Sequence, residues 1–345
     1  MAERQWTASD FDYALPQELI AQVPSAERGA SRLLVLPRVT DVAADKKFSE
    51  LSALIPPGDL LVLNATKVRH ARLLGTRSGG GPAEVLLIHP AADDGWIAMG
   101  KPGRAMQPGK RILLGDGVAV ETIGVLDDGM RRVRFVGATA TQAIERFGRL
   151  PLPPYITRDP TADDETRYQT VYADREGSVA APTAGLHFTE VMLSDLHERG
   201  VAIAELDLEV GPGTFRPVEG EAITEHVMHA ERYEIPMTLA DAVVACRLRG
   251  GKVWAVGTTV VRALESAARS DGLVTPGESE TRLMISPGYT FRVVDRLITN
   301  FHLPRSTLLM LVAAFAGYER TMAAYRHAVM ERYRFYSYGD AMCIL

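Results

Sequence analysis

The stretch TNFHLPRSTLLMLVAAFA, residues 299–316, constrains this chain most. A polar segment holding Asn300, His302, Pro304, Arg305, Ser306 and Thr307 runs directly into the unbroken apolar run 308–316. The apolar run has to be buried, because apolar surface left in water is unfavourable. The polar segment is tied to its start, so its side chains stand at the edge of a core on a fixed platform. Binding sites are commonly mounted that way. The run is well short of the roughly 20 residues that span a bilayer, so it reads as a core helix.

Along the chain, two patterns follow one another. Segments 32–36 (RLLVL) and 59–63 (DLLVL) read as buried strands, the second introduced by the turn Pro56-Pro57-Gly58. Between residues 72 and 137, short apolar runs at 84–88, 96–99, 111–114, 118–123 and 131–136 alternate with Gly- and Asp-rich turns. That spacing predicts a small antiparallel barrel or sandwich. Residues 141–147 predict a short helix, and the Pro-rich LPLPPY (150–155) reads as a stiff return linker. From residue 168 onward strands and helices alternate, which argues for a layered α/β domain. Helices are expected over 190–199, 239–248, 260–269 and most of 308–329, and strands over 201–210, 253–256 and 292–298. A length of 345 residues exceeds one average core. The expected architecture is therefore an α/β main domain, residues 1–71 plus 150–345, interrupted by a small inserted antiparallel β-barrel domain, residues 72–149.

Composition excludes more than it selects. Net charge is −5, so nothing global announces nucleic acid, although a local basic cluster can bind it. The first 20 residues carry early acids and no apolar core, so no secretory signal is expected. Cys246 and Cys343 stand apart without a CxxC, which suits a reducing, cytoplasmic setting. His226 and His229 lie three residues apart and could share a helix face, but zinc wants more ligands, so no metal is expected. There is no Gly-x-Ser-x-Gly elbow, P-loop or dinucleotide fingerprint, which counts against hydrolase, kinase and dehydrogenase readings. The sequence leaves the oligomeric state open, with a monomer as the default expectation.

Three polar segments occupy the place where open α/β sheets bind ligands, beyond the carboxyl ends of strands. Gly257-Thr258-Thr259 is a helix start that offers N–H groups and hydroxyls to a carboxylate or phosphate, or is a simple cap. The VGPGTF segment (210–215) either lets backbone approach a ligand closely or is a tight turn. The NATKVRHAR segment (64–72) carries the densest basic cluster, a solvated loop or a phosphate contact. Among the histidines, His187 in AAPTAGLHF (180–188) is held between Pro and Gly, which favours a positioned side chain. His302 lies in the opening motif and has a pKa range suited to proton transfer.

Taken in order, LPLPPYI (150–156), AAPTAGLHF (180–188), VGPGTFRPV (210–218), EHVMHAE (225–231), AVGTTVVRALES (255–266), the 299–318 segment and YRFYSYGDAM (333–342) resemble the S-adenosylmethionine:tRNA ribosyltransferase-isomerase family of queuosine biosynthesis. ELIAQVPSAERGASRLL (18–34) and PPGDLLVLNATKVRHARL (56–73) extend the resemblance over essentially the whole chain. It implies an α/β domain interrupted by a β-barrel domain. It also implies a transferase that uses S-adenosylmethionine as ribosyl donor, with tRNA as acceptor and no metal. The ribosyl part is moved and isomerised onto 7-aminomethyl-7-deazaguanine at the wobble position, giving epoxyqueuosine-tRNA, adenine and methionine.

Under that resemblance His187, His229 and His302 are proton-transfer candidates, His187 first. Thr258, Thr259 and Arg262 are candidates for the amino-acid end of the donor or for a tRNA phosphate. Gly211, Gly213 and Thr214 would let the donor pack against backbone. Lys67, Arg69 and Arg72 would contact the anticodon stem-loop. Tyr336, Tyr338 and Phe335 would stack on a base, with Asp340 hydrogen-bonding to it, or pack as a core segment. The chain departs from the family pattern at Glu209, where His is usual, at Arg69-His70, where an apolar residue and Pro or Asn are usual, and at Ala65. Glu209 is thus an alternative base. A changed acceptor or a binding-only descendant are the competing readings.

Overall fold

The computed structural model describes residues 4–37, 43–91, 93–211, 218, 220–223, 226 and 228–345. The main sheet runs in the order Gly277–Thr281, Glu231–Ile235, Ala202–Leu208, Leu60–Asn64, Val253–Val256, Arg296–Asn300, Ala341–Ile344, Arg32–Leu36, Ala44–Lys47. The four central neighbours, from Ala202–Leu208 to Arg296–Asn300, are mutually parallel. Ala341–Ile344 enters antiparallel beside Arg296–Asn300 and parallel to Arg32–Leu36.

The short apolar runs form strands because both faces of this sheet are covered. Side chains alternate between two cores. Leu60, Val62, Val253, Ala255, Leu297, Met342 and Ile344 face one, with the helices Met237–Leu248, Thr258–Ser266, Thr307–Ala316 and Tyr318–Met330. Leu61, Leu63, Trp254, Val256, Ile298 and Cys343 face the other, under Phe48, Phe188 and Leu196. Among the described residues no helix is long and apolar enough to cross a membrane.

A separate antiparallel sheet is built from residues 72–149, in the order Gly148–Arg149, Arg72–Arg77, Pro82–Pro90, Trp96–Lys101, Arg131–Val136, Val118–Val125, Arg111–Gly115. Arg72–Arg77 also pairs with Arg111–Gly115. Gly75 makes that crossing possible, since a Cβ there would lie 2.4 Å from the Leu113 carbonyl oxygen. The turns expected from the sequence do bend left-handed, with positive φ at Asp93, Asp94, Asp116 and Gly117.

Three local differences from the sequence reading have clear causes. The expected helix 308–329 is two helices, broken at Gly317 with φ +91°. The strand expected over 292–298 starts at Arg296, because the Glu265 carboxylate takes the N–H groups of Arg292, Val293 and Val294 at 2.9–3.0 Å. The helix expected from 260 begins at Thr258, directly after Gly257 at φ +95°.

Candidate active site

The carboxyl ends of three central strands meet at one pocket. Val210 lies just past Ala202–Leu208, Gly257 follows Val253–Val256, and Asn300 ends Arg296–Asn300. Residues 181–184, 257–259, 299–303 and 336–337 wall it, with Tyr155, Ser306 and Leu308 completing the lining. The opening motif brings Asn300, His302 and Ser306 to this wall, while Arg305 pairs with Glu221 at the surface. Ser306 caps the Thr307–Ala316 helix, its Oγ accepting from the Leu309 N–H at 3.2 Å.

Strand register explains the juxtaposition. Val256 pairs with Ile298, so Thr258 and Asn300 each lie two residues beyond a matched pair. The Thr258–Ser266 helix has glycine as its N-cap and no capping side chain. Its first-turn N–H groups and positive dipole end thus open toward the pocket. Thr259 is buried, and its hydroxyl has no partner among the described residues. Tyr336 takes φ +70°, a conformation unusual for a residue with a bulky side chain, and its ring lies 4.6 Å from that of Tyr155. Strain of that kind clusters at binding sites.

The histidines divide. His302 lies on the pocket wall, with Nε2 2.8 Å from the Thr299 hydroxyl and its carbonyl accepting from Tyr13. Burial pushes its pKa down to about 3, so the ring is neutral at physiological pH. His187 sits behind the wall instead. Its Nδ1 is 2.7 Å from Ser31 Oγ, its Nε2 is 3.2 Å from Asn300 Nδ2, and its ring packs 4.9 Å from Phe48. Burial, with Arg28 and Arg334 nearby, pushes it down to about 3 as well. The first of the sequence candidates, His187, thus has both nitrogens engaged by protein groups and stands behind the wall, not on it. His229 is half-buried and is not part of this wall.

Other expected residues land elsewhere. Glu209 points away from the pocket, into an acidic recess with Asp207, Glu234, Glu278 and Glu280, as strand alternation from Val210 dictates. Arg262 is buried in an ion pair with Glu231 and donates to the Leu283 carbonyl, so it faces the helix's far side. Tyr338 and Asp340 are buried and bonded within the protein. The Tyr338 hydroxyl donates to Asp164 at 2.6 Å, and Asp340 accepts the Arg32 and Arg334 N–H groups at 2.8 Å. Gly211 follows the pocket residue Val210; Gly213 and Thr214 lie outside the described residues. Lys67 is 3.8 Å from Glu176, and Arg72 pairs with Glu84 at 3.0 Å. Arg69 is buried, donates to the Glu176 carbonyl and lies 5.2 Å over the Trp96 ring.

Sequence reading did not single out Ser31, Tyr155 or Thr299. Tyr155 was hidden in the Pro-rich linker, and Ser31 carries no local signal beyond preceding a strand. Among the described residues no group of three or more His, Cys, Asp or Glu could hold a metal ion.

Comparisons with known proteins agree on one group. The family described as queuosine biosynthesis protein matches residues 8–344. The chain is 52% identical over 347 residues to the S-adenosylmethionine:tRNA ribosyltransferase-isomerase of Paraburkholderia phytofirmans, covering 98% of both chains. It is 52% identical over 340 residues to the protein of that name from Symbiobacterium thermophilum, covering 98% of this chain and 99% of the other. The crystal structure of an S-adenosylmethionine tRNA ribosyltransferase from Thermotoga maritima superposes with TM-score 0.56 at 39% identity, covering 98% and 100% of the two chains.

Proposed function

The chain belongs to the queuosine biosynthesis protein family, and on that premise we propose how its pocket serves an S-adenosylmethionine:tRNA ribosyltransferase-isomerase. The enzyme transfers and isomerises the ribosyl part of S-adenosylmethionine onto 7-aminomethyl-7-deazaguanine at the tRNA wobble position. Epoxyqueuosine-tRNA forms, and adenine and methionine leave. The observation that carries the site assignment is the meeting of four family-like segments, around 181–184, 257–259, 299–303 and 336–337, at one pocket on the sheet's carboxyl edge.

In this reading the pocket takes the donor. Thr258 and Thr259 receive its amino-acid end at the helix N-terminus. The Tyr155 and Tyr336 rings give apolar faces on which a base can stack. His302 is the leading proton acceptor. Its Nε2 is held by the Thr299 hydroxyl, and Nδ1 is the nitrogen offered to the acidified proton beside the sulfonium. Burial keeps the ring unprotonated at physiological pH, so it meets the donor as a neutral base. The positive sulfonium supplies the activation, and the apolar wall of Phe301, Leu303 and Leu308 limits water that would trap intermediates.

The residues 72–149 form an inserted barrel domain in this account. Support comes from the double pairing of Arg72–Arg77 and from a separate apolar core of Leu73, Val85, Leu87, Ile112, Val120 and Val133. Between that domain and the Pro-rich linker runs a groove lined by Arg72, Lys101, Arg158, Pro151 and Pro154. We assign it to the anticodon stem-loop. The setting is cytoplasmic.

The test is incubation of the purified protein with S-adenosylmethionine and tRNA bearing 7-aminomethyl-7-deazaguanine, reading adenine and methionine release together with nucleoside mass. Release of both with the epoxyqueuosine mass supports the assignment. Binding of both ligands without release refutes it in favour of a binding-only protein.

A further inference from the structure

We infer that the pocket holds the amino-acid end of S-adenosylmethionine as a zwitterion, Asn300 Oδ1 accepting from the α-ammonium while the Thr258–Thr259 helix start and the Thr259 hydroxyl bind the carboxylate. This rests on the donor assignment above.

Asn300 is 2% exposed and lines the pocket, and its Oδ1 has no partner among the described residues. The reason is the orientation of its amide. Nδ2 donates to the Tyr336 carbonyl at 3.0 Å and faces His187 Nε2 at 3.2 Å. Turning the amide over would set Oδ1 against the Tyr336 carbonyl, oxygen against oxygen. Both Nδ2 hydrogens are therefore committed, His187 Nε2 accepts, and His187 Nδ1–H donates to Ser31 Oγ at 2.7 Å. What remains is an acceptor-only oxygen. A buried acceptor left unmet costs free energy, so this oxygen favours a donor N–H or O–H from whatever fills the pocket.

The neighbouring group has the opposite polarity. Thr258 and Thr259 line the same pocket as Asn300, entering it where the chain leaves the strand paired with Arg296–Asn300. The helix N-terminus there favours negative charge, and the Thr259 hydroxyl, 8% exposed for the residue, is a second unmet polar atom. An acceptor beside an anion-binding helix start matches an ammonium beside a carboxylate on one carbon. Adenine offers an N–H but no anion, so it matches only half of the pair. His187 acts through Asn300 and is a positioning residue: it selects which end of the amide reaches the ligand.

Calorimetric titration of the full-length protein tests this with S-adenosylmethionine, its deamino analogue, decarboxylated S-adenosylmethionine and the S-inosyl analogue. Asn300→Leu should weaken S-adenosylmethionine binding about 10- to 100-fold, the scale of a hydrogen bond to a charged group. It should leave the deamino analogue bound as wild type binds it. Thr259→Val, which removes a hydroxyl without a protein partner and keeps the shape, should weaken the parent ligand and spare the decarboxylated one. His187→Gln retains an acceptor for Asn300 and should bind better than His187→Phe. Equal losses on parent and deamino ligands overturn the inference, as does an Asn300→Leu loss that disappears only with the S-inosyl analogue. If Asn300→Leu, Thr259→Val and Tyr155→Ala all leave S-adenosylmethionine affinity intact, the donor assignment itself has failed.

Discussion

Replacing Asp164 by Asn should cost this protein about 3 kcal/mol at neutral pH and loosen the pocket from a distance. Asp164 is fully buried and accepts five hydrogen bonds. Arg158 supplies two, at 2.5 and 2.8 Å; Thr161 supplies its N–H at 2.7 Å and its hydroxyl at 2.8 Å; Tyr338 supplies its hydroxyl at 2.6 Å. An asparagine has the same shape, but its NH2 would face donors. The helix-start contacts of Thr161 contribute about 1 kcal/mol, and the Tyr338 bond to a charged acceptor about 1.5 kcal/mol. The Arg158 pair adds less than a fully buried pair would, because its guanidinium is partly in water. Burial alone would raise this carboxyl group's pKa, but Arg158, Tyr338 and Thr161 together hold it well below the usual range. Its stabilisation is thus present above the ordinary value of 3.8 and is lost as pH falls below it. Urea unfolding at pH 7 measures the gap between wild type and variant, and a pH series should show the two converging below pH 4. The Tyr338 anchor sits two residues from Tyr336, so S-adenosylmethionine binding should weaken alongside. A loss under about 1 kcal/mol at pH 7, or a gap that persists in acid, would refute the reasoning.

Further outcomes follow from the same geometry. His302→Gln should lower kcat about 10²- to 10⁴-fold with little change in donor affinity, read by single-turnover adenine release. His187 has a folded pKa of about 3 against an ordinary 6.5, so protonation favours the unfolded chain. Stability contributed by this group is therefore full above pH 6.5 and falls below it, by about 2 kcal/mol at pH 5, and His187→Gln should make that part of the urea-derived pH profile shallower, leaving the matching contribution of His302. Arg262→Leu leaves Glu231 buried without its partner and should destabilise by about 3 kcal/mol, while calorimetry finds S-adenosylmethionine affinity unchanged in the folded variant. Gly257→Ala must hold φ +95° with a Cβ 3.5 Å from Thr259 Oγ1, so it should cost about 1–2 kcal/mol in urea unfolding and weaken donor binding.

The site was legible where local pattern and tertiary position coincide. Residues 257–259 and 299–308 are strand-to-helix junctions, and such junctions declare themselves through an apolar run followed by small or polar residues. Pairing between remote segments leaves no such trace. Nothing near Ser31 announces that it will hold His187, and nothing in Gly257-Thr258-Thr259-Val260-Val261 says that Arg262 turns away toward Glu231. His187 shows the limit of an argument from rigidity. Pro182 and Gly185 do fix its loop, but a fixed ring can serve the wall as well as the ligand. Edge strands were the other blind spot. Ala44–Lys47 and Gly277–Thr281 are mostly exposed and charged, so they lack the apolar alternation by which a strand is recognised. Ala341–Ile344 is short and follows a turn-rich segment, and its place between Arg296–Asn300 and Arg32–Leu36 is set by long-range pairing alone.

That last strand has a consequence for how the molecule comes into being. Arg32 and Asp340, joined by a hydrogen bond, are 308 residues apart along the chain. Tyr336 and Ser337, which close one side of the pocket, lie just before that strand, and Tyr336 is tied to Phe301 and Asn300. A growing polypeptide on the ribosome can assemble the 72–149 sheet from local contacts early in synthesis. It cannot complete the pocket until the last strand has emerged and slid between Arg296–Asn300, made just before it, and Arg32–Leu36, made long before. Partly synthesised copies would therefore lack the finished pocket, however much of the sequence they already carry.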